Sequence, residues 1–378
     1  MSRSDVNFER VRKIVVKIGS ALLTEKGTGL VLERIASIAA QLTHAIEKEC
    51  QVVLVSSGAI AEGCNRLGWS SRPETVHELQ AAAAVGQIGL AEAWEGALKQ
   101  HGTGAAMIML THEDLADRQR YLNARATLQQ LLQLGVVPII NENDTVATEE
   151  IKFGDNDSLA ALVANLIEAD LLIILTDVEG LLDKDPSLYD DAKVIHHGMA
   201  TDDSLSQFAG EPGVLGRGGM VTKLSAARLA ARSGAHTVIA SGQNGQVLNQ
   251  ILFGVEIGTF LEAEVTPLTA RKRWIAGHLR AKGSLTVDSG AARVLVKDGV
   301  SLLAVGVIAV TGSFERGDVV RIQSDSGQAI AQGLSNYASG DVQRLLGKRT
   351  EEFGDHIDFV GEPELVHRDN LVVLVSEG

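Results

Sequence analysis

The sequence predicts an α/β protein in which a mainly parallel β-sheet is sandwiched between helices, followed by a small barrel-like β domain at the C-terminus. Through the first two-thirds of the 378 residues, short apolar runs alternate with longer amphipathic segments, as in a sheet built from strands and crossover helices. Aromatic residues make up only 4% of the chain while small apolar residues abound, which favours helices packed closely on a sheet. After Phe260 the pattern changes to short β runs with glycine-rich turns.

In the first part, six apolar runs predict buried strands, and the segments between them predict amphipathic helices. The strands are expected at Ile14–Ile18, Val52–Val55, Met107–Leu110, Val136–Ile140, Leu171–Leu175 and Thr237–Ala240. The helices are expected at Val31–Glu47, Val76–Lys99, Arg118–Leu134, Ser158–Glu168 and Val221–Arg232.

In the second part, β runs are expected at Leu285–Val287, Ser301–Val310, Val319–Ile322 and Gln328–Leu334, with turns at Asp288–Gly290 and Arg316–Asp318. We therefore expect a first domain over residues 1–262, a connector over 263–282 and a second domain over 283–360. Residues 361–378 are expected to form a tail.

Charge and cysteine content restrict the class of protein. The formal net charge of −14 repels polyanions, although local cations can still bind a small anion. Cys50 and Cys64 are the only cysteines and form no C-x-x-C pair. With so few thiols we expect no disulfide framework, which indicates a reducing compartment. Lys13 and Lys17 interrupt the first apolar run, so it is not a signal peptide, and apolar stretches such as Leu302–Val310 are too short to span a membrane. We expect a soluble cytoplasmic protein.

The loops that follow the predicted strands are the candidate site, because ligands of parallel sheets bind beyond the carboxyl ends of the strands. The sequence contains no Walker A motif, and no G-x-G-x-x-G motif follows a strand, so any nucleotide is bound by another arrangement. Lys17 lies inside an apolar strand, where burying its charged amine costs free energy unless the amine reaches an anion. A snorkelling lysine at a sheet edge is the alternative.

Polar residues follow two further strands. In Ser56–Ala59, small residues leave N–H groups available to carboxylate or phosphate oxygens, although any strand–helix turn favours such residues. Asn141–Asp144 is more polar than a turn requires, and Asp144 is suited to accept hydrogen bonds from a substrate ammonium group.

A third polar loop is Gly154–Ser158. A helix N-cap would account for only one of its polar residues. Asn156 there is both donor and acceptor, and Asp157 is suited to hold two lysines.

Five glycines among residues 210–219 predict a mobile flap or a loop that surrounds a phosphate. Lys223 follows near the start of a helix, where the helix dipole disfavours a cation, so a bound anion is expected to compensate. Thr176 and Asp177, which leave another strand, are further candidates for nucleotide contact.

The ten histidines form no H-E-x-x-H or C-x-x-C pattern, His196–His197 is expected in a solvated loop, and no G-x-S-x-G motif occurs. We therefore predict no protein metal ligand and no general base. Phosphoryl transfer to a carboxylate needs no base, because a carboxyl group with a pKa of about 4.3 is already ionised at pH 7. It needs charge neutralisation, which lysines and Mg²⁺ supply. These residues indicate transfer of a phosphoryl group from ATP to the carboxylate of a small amino acid.

Taken together and in this order, the motifs closely resemble those of the amino-acid kinase family over nearly the whole chain. The first-domain motifs are Val16–Ser20, Val55–Ile60, Ala81–Gln87, Ile140–Asp144, Phe153–Asp157 and Gly218–Lys223. The C-terminal part resembles a PUA domain that begins at Gly283–Asp288. The resemblance implies the amino-acid kinase fold and ATP-dependent phosphorylation of the γ-carboxylate of L-glutamate to L-glutamyl 5-phosphate, the first step of proline biosynthesis. It also implies Mg²⁺, feedback inhibition by proline, and a homo-oligomer, either a dimer or a tetramer.

The resemblance further implies roles for individual residues. It places Lys17 and Lys223 on the transferring phosphoryl group, with Asp157 organising both lysines. Glutamate would be held by Ser57, Asp144 and Asn156. ATP would be held by Lys17, Thr176, Asp177, Arg217, Gly218, Gly219, Met220, Val221, Thr222 and Lys223. Arg217 departs from the family pattern, which has a small hydroxyl residue there, and its extra cation could replace the hydroxyl–phosphate contact.

Three alternatives remain. A kinase for N-acetylglutamate or aspartate would lack the C-terminal domain and the combination of Asn141–Asp144 with Gly154–Asp157. A PUA-type RNA-binding protein would need a basic stripe, but residues 281–360 hold eight Lys/Arg and ten Asp/Glu, a net of −2. RNA and membrane partners are therefore not expected. A regulatory protein without catalysis is disfavoured because Lys17, Lys223 and Asp157 are all present.

Overall fold

The computed structural model describes residues 8–25, 29–146, 156–184, 189–209, 219–264, 281–358 and 360–374, without the side chains of Glu9 and Arg118. The chain divides into two compact units, Met1–Pro267 and Leu268–Gly378. The domain limits expected from the sequence remain predictions.

The first unit contains an eight-stranded sheet. Its strands are β1 (Lys13–Ile18), β4 (Gln51–Ser56), β5 (Gly104–Leu110), β6 (Val136–Glu142), β7 (Leu171–Thr176), β8 (His197–Met199), β9 (His236–Ser241) and β10 (Thr259–Glu262), and β2 (Thr24–Glu25) and β3 (Gly29–Leu30) form a separate hairpin. The order across the sheet is β5-β6-β4-β1-β7-β9-β10-β8. Every neighbouring pair is parallel except β9–β10. The mainly parallel sheet predicted from the sequence is confirmed.

Helices cover both faces of this sheet. They are α1 (Ser20–Leu23), α2 (Leu32–Glu47), α3 (Ala59–Arg66), α4 (Val76–Lys99), α5 (His112–Ala116), α6 (Arg118–Gln133), α7 (Asn156–Ile167), α8 (Met220–Ala231) and α9 (Val247–Leu252). One buried cluster joins the sheet to α2, α4 and α9, and the other joins it to α6, α7 and α8. Val16 belongs to the first cluster and Val15 to the second, because successive side chains of a strand point to opposite faces. Lys17, two residues after Val15, therefore points to the face that carries α7 and α8.

Two glycines allow α3 and α4 to approach each other closely. A Cβ atom at Gly63 would lie 1.7 Å from the carbonyl oxygen of Ala82, and one at Gly86 would lie 1.8 Å from the carbonyl oxygen of Ala59. Both distances are far below van der Waals contact, so any larger residue would force the helices apart. The start of α3 adjoins the candidate site, so this packing also holds that loop in place.

The second unit contains a five-stranded sheet with its own buried core. Its strands are β11 (Gly283–Val287), β12 (Val307–Gly312), β13 (Val319–Ser324), β14 (Ala329–Leu334) and β15 (Leu371–Val373), in the order β12-β11-β13-β14-β15, and its helices are α10 (Ser289–Asp298) and α11 (Ser339–Leu345). The separate C-terminal β domain predicted from the sequence is confirmed.

Two local predictions for the second unit are wrong. The run Ser301–Val310 becomes a strand only from Val307, because residues 304–306 form a 3₁₀-helix. The predicted turn at Asp288–Gly290 is the start of α10, where the Asp288 carboxylate accepts a hydrogen bond from the Ala291 N–H at 2.7 Å. A turn and a helix N-cap favour the same residue types, so the sequence does not separate them.

The prediction of a solvated loop at His196–His197 is also wrong for His197. This residue begins β8, is half-buried, and stacks on Phe260 with 5.9 Å between ring centroids. Its Nε2 lies 3.2 Å from Oε2 of Glu262 on the neighbouring strand. No helix in the described part of the chain combines the length and the hydrophobicity that a membrane span requires.

Candidate active site

The adjacent parallel strands β6, β4, β1 and β7 all end at the same edge of the sheet. Polar residues follow these ends, as expected from the rule that parallel sheets bind ligands there. The first turns of α7 and α8 add Asn156, Asp157 and Lys223 from the face to which Lys17 points. Residues from distant parts of the sequence therefore meet at one edge.

A buried carboxylate lies between two lysines at this edge. Asp157 is completely buried, and Lys17 and Lys223 are 5% and 4% exposed. The Lys17 Nζ lies 2.5 Å from Oδ1 of Asp157, and the Lys223 Nζ lies 3.0 Å from Oδ2. The Thr222 hydroxyl also donates to Oδ2, at 2.9 Å. Asp157 therefore fixes both amines relative to each other.

The charges of this cluster favour a bound anion. Burial by itself would raise the pKa of Asp157, but the ammonium groups of Lys17 and Lys223 outweigh that effect and hold the pKa well below its ordinary value. Asp157 is therefore ionised at neutral pH. Two lysines and one carboxylate carry a formal charge of +1, and buried charge is costly unless it is paired. A phosphoryl group is a ligand of the right sign.

A cavity of about 170 Å³ lies at the same edge of the sheet. It is lined by Ser20, Thr24, Ser57, Gly58, Ala59, Ile60, Ala61, Arg72, Asn141, Glu142, Asp144 and Asn156. Ser57, Asp144 and Asn156, the candidate substrate-binding residues, are all among them. Gly58 has a φ of 112°, which favours glycine, and this conformation turns the chain from β4 into α3 along the cavity wall.

Asn156 is held firmly at this cavity. Its amide Nδ2 lies within hydrogen-bonding distance of Ser57 Oγ at 3.0 Å, Ser56 O at 3.3 Å and Asn141 Oδ1 at 3.0 Å. The Trp94 indole N–H in turn donates to the Ser56 hydroxyl at 2.9 Å. These contacts tie the start of α7 to the ends of β4 and β6.

The candidate nucleotide-binding residues lie at two neighbouring positions. Thr176 ends β7, and its hydroxyl donates to Asp177 at 3.1 Å. Gly219 caps the N-terminus of α8, and the first turn of that helix contains Met220, Val221, Thr222 and Lys223. Of these, Val221 is exposed at 40%. Arg217 and Gly218 lie outside the described residues, as do Gly154 and Asp155.

Sequence reasoning missed Ala61, one residue beyond the Val55–Ile60 motif, and two more distant residues of the cavity wall, Thr24 and Arg72. The latter two lie away from the carboxyl ends of the large sheet's strands, in the small hairpin and in the loop before α4, so the strand-end rule does not reach them. Glu142 lies within the polar motif that the sequence indicated. It is 5% exposed, with its Oε2 3.7 Å from Nδ1 of His112. In the described ranges, no group of three or more His, Cys, Asp and Glu residues is placed to hold a metal ion.

Comparison with known proteins gives the family. Residues 12–241 match the amino acid kinase family, and residues 283–357 match the PUA domain. A protein of Thioalkalivibrio sulfidiphilus named glutamate 5-kinase is 53% identical over 99% of this chain and 100% of its own length. A protein of the same name from Pseudomonas savastanoi pv. phaseolicola is 54% identical over 95% of this chain and 98% of its own length. Another glutamate 5-kinase, from Methylococcus capsulatus, is 54% identical over 96% of this chain and 97% of its own.

Proposed function

The chain belongs to the amino acid kinase family, and we propose that it transfers the γ-phosphoryl group of ATP to the γ-carboxylate of L-glutamate. The product is L-glutamyl 5-phosphate, which makes the reaction the first step of proline biosynthesis. The relatives named glutamate 5-kinase support this substrate, since they match over almost their whole lengths. The observation that carries the proposal is the buried Asp157, held between Lys17 and Lys223 at the edge that also carries the cavity.

In the proposed reaction, an oxygen of the glutamate γ-carboxylate attacks the γ-phosphorus of ATP. The new P–O bond forms as the bond to the β-phosphate oxygen breaks, and ADP leaves. No proton has to move, because the attacking carboxylate is already ionised. The obstacle is repulsion between a carboxylate and a triphosphate. Lys17 and Lys223 would offset it by binding the transferring phosphoryl group, and Asp157 would keep both amines preorganised.

The cavity residues would hold glutamate. Asp144 and the amide oxygen of Asn156 would accept hydrogen bonds from the α-ammonium group, and Ser57 would fix the rest of the molecule. Arg72, on the same cavity wall, supplies a positive charge that suits the α-carboxylate. The amino acid would then lie with its γ-carboxylate toward the lysines.

ATP would be held by Thr176 and Asp177 at the end of β7 and by residues 217–223 at the start of α8. Mg²⁺ would enter the site together with ATP, because phosphate oxygens are ligands that suit this ion. When bound, Mg²⁺ supplies further neutralisation of phosphate charge. Feedback inhibition by proline, a homo-oligomeric state and a cytoplasmic location remain proposals that rest on the resemblance to the family.

Trapping of the acyl phosphate tests the function. The purified protein is incubated with ATP, Mg²⁺ and one candidate substrate, and hydroxylamine then converts any acyl phosphate to a hydroxamate. Glutamate should give the hydroxamate. N-acetylglutamate should be a poor substrate, since Asp144 and Asn156 suit a free amino group, and aspartate should be poor because its side chain is one methylene shorter and its carboxylate would not reach the lysines. Equal turnover of N-acetylglutamate would contradict the proposed substrate, and no hydroxamate from any of them would contradict the reaction.

A further inference from the structure

A chain of side-chain amides runs from the cavity into helix α4. Asn156 donates to Oδ1 of Asn141 at 3.0 Å, and Nδ2 of Asn141 donates to Oε1 of Gln87 at 2.8 Å. Nε2 of Gln87 then contacts the Met107 sulfur at 3.0 Å. Gln87 does not line the cavity, whereas Asn141 and Asn156 both do.

One backbone carbonyl sets the direction of this chain. The carbonyl oxygen of Ser56 accepts only, so the Asn156 atom that faces it, at 3.3 Å, is the amino group. Asn141 must then present its oxygen to Asn156 and its amino group to Gln87. Gln87 presents its oxygen in turn and directs its amino group to Met107, a weak acceptor. Each amide has one orientation that satisfies its neighbours.

This direction determines what Asn156 offers to a ligand. The two hydrogens of its amino group are used by Ser56, Ser57 and Asn141, so Oδ1 is the polar atom left for an occupant of the cavity. An amide oxygen accepts hydrogen bonds, which suits the ammonium group of an amino acid. The opposite orientation would turn an amino group toward that cation and would repel it.

We propose that Gln87 is a positioning residue for the amino-acid substrate, an inference that rests on the proposed function. Asn141 is only 3% exposed, so its Nδ2 needs an acceptor within the protein. Without the Gln87 oxygen, the Asn156 amide, which already contacts Asn141, is a group that could turn to offer its Oδ1 as the replacement acceptor. If Asn156 turned to supply it, the substrate would lose its acceptor. Gln87 therefore acts on substrate affinity without touching the substrate.

Two substitutions of similar size separate this role from simple packing. Gln87→Met removes the acceptor and keeps the apolar stem, whereas Gln87→Glu keeps an oxygen facing Asn141. For Gln87→Met we expect KM for glutamate to rise about tenfold, as when a buried donor loses its partner. KM for ATP and kcat should change less than about twofold, because binding rather than the chemical step is affected. Gln87→Glu should restore most of the affinity.

The control is Gln130→Met, which makes the same change at an exposed helical position outside the amide chain. The measurements are KM and kcat for both substrates, with thermal unfolding of every variant. Equal KM values for glutamate in Gln87→Met and the unsubstituted protein would overturn the inference, as would an equal rise in Gln87→Glu. If the unsubstituted protein forms no glutamyl hydroxamate, the proposed function fails first, so the two failures are distinguishable.

Discussion

Asp157→Asn removes the negative charge between the two lysines and changes almost nothing in shape. At distances of 2.5 and 3.0 Å, each ion pair corresponds to a Coulomb energy of roughly 5–7 kcal/mol at an effective dielectric constant of about 20. The cost of desolvating three buried charges offsets most of this. Removing one partner nevertheless leaves the lysines uncompensated, so we expect the free energy of unfolding to fall by about 3–5 kcal/mol.

The same change should abolish most of the activity. The amines of Lys17 and Lys223 would repel each other and lose their fixed geometry, so kcat should fall by at least about 10²-fold. ATP should stabilise the variant more than the unsubstituted protein, because its phosphates replace the missing negative charge. Denaturant unfolding with and without ATP, together with the hydroxamate assay, measures these effects.

The pH dependence of this effect has a definite sign. The folded-state pKa of Asp157 lies below its unfolded-state value, so ionisation of Asp157 stabilises the folded protein. That contribution is complete above the unfolded-state pKa of about 3.9 and is lost as pH falls toward the folded-state value. The stability difference between the unsubstituted protein and Asp157→Asn should therefore be constant from about pH 5 to 8 and should shrink below about pH 4.

Asp203→Asn is the matched control. The Asp203 side chain is 94% exposed and pairs with Arg228 at 3.3 Å, and such surface pairs contribute less than about 1 kcal/mol. The charge balance assigned to the cluster is wrong if the free energy of unfolding of Asp157→Asn lies within about 1 kcal/mol of that of the unsubstituted protein and kcat is unchanged.

Two further predictions address the lysines and the second unit. Lys223→Ala should lower kcat by roughly 10²–10³, as expected when a preorganised charge at the transition state is removed; a change confined to KM for ATP would make Lys223 a binding residue only. Truncation after Glu262 should leave a folded, active kinase, since every residue assigned to chemistry precedes it and the second unit has its own core. A soluble, folded but inactive truncated chain would show that the second unit completes the site.

The sequence predicted the centre of the sheet well because the central strands β1, β4, β6 and β7 are buried on both faces. All six residues of β7 are buried, so the strand appears as an uninterrupted apolar run that is hard to mistake. The short elements were not predicted. Helices α5 and α9 have five and six residues, too few for a helical period to emerge, and β8 has only three.

The candidate site was predictable where polar residues interrupt an apolar pattern. Lys17 inside a strand and Asp144 just after one are polar where the local pattern does not require it. Both lie at the edge of the sheet that carries the candidate site. Gln87 shows no such anomaly, because a glutamine in an amphipathic helix is ordinary and its partner Asn141 is 54 residues away. Its place in the amide chain depends on the contact between α4 and β6, which no local pattern encodes. A sequence therefore reveals ligand-binding residues at strand ends more readily than the residues that hold them in place. Ligand-binding residues interrupt the local pattern of apolar and polar positions, whereas positioning residues such as Gln87 fit that pattern.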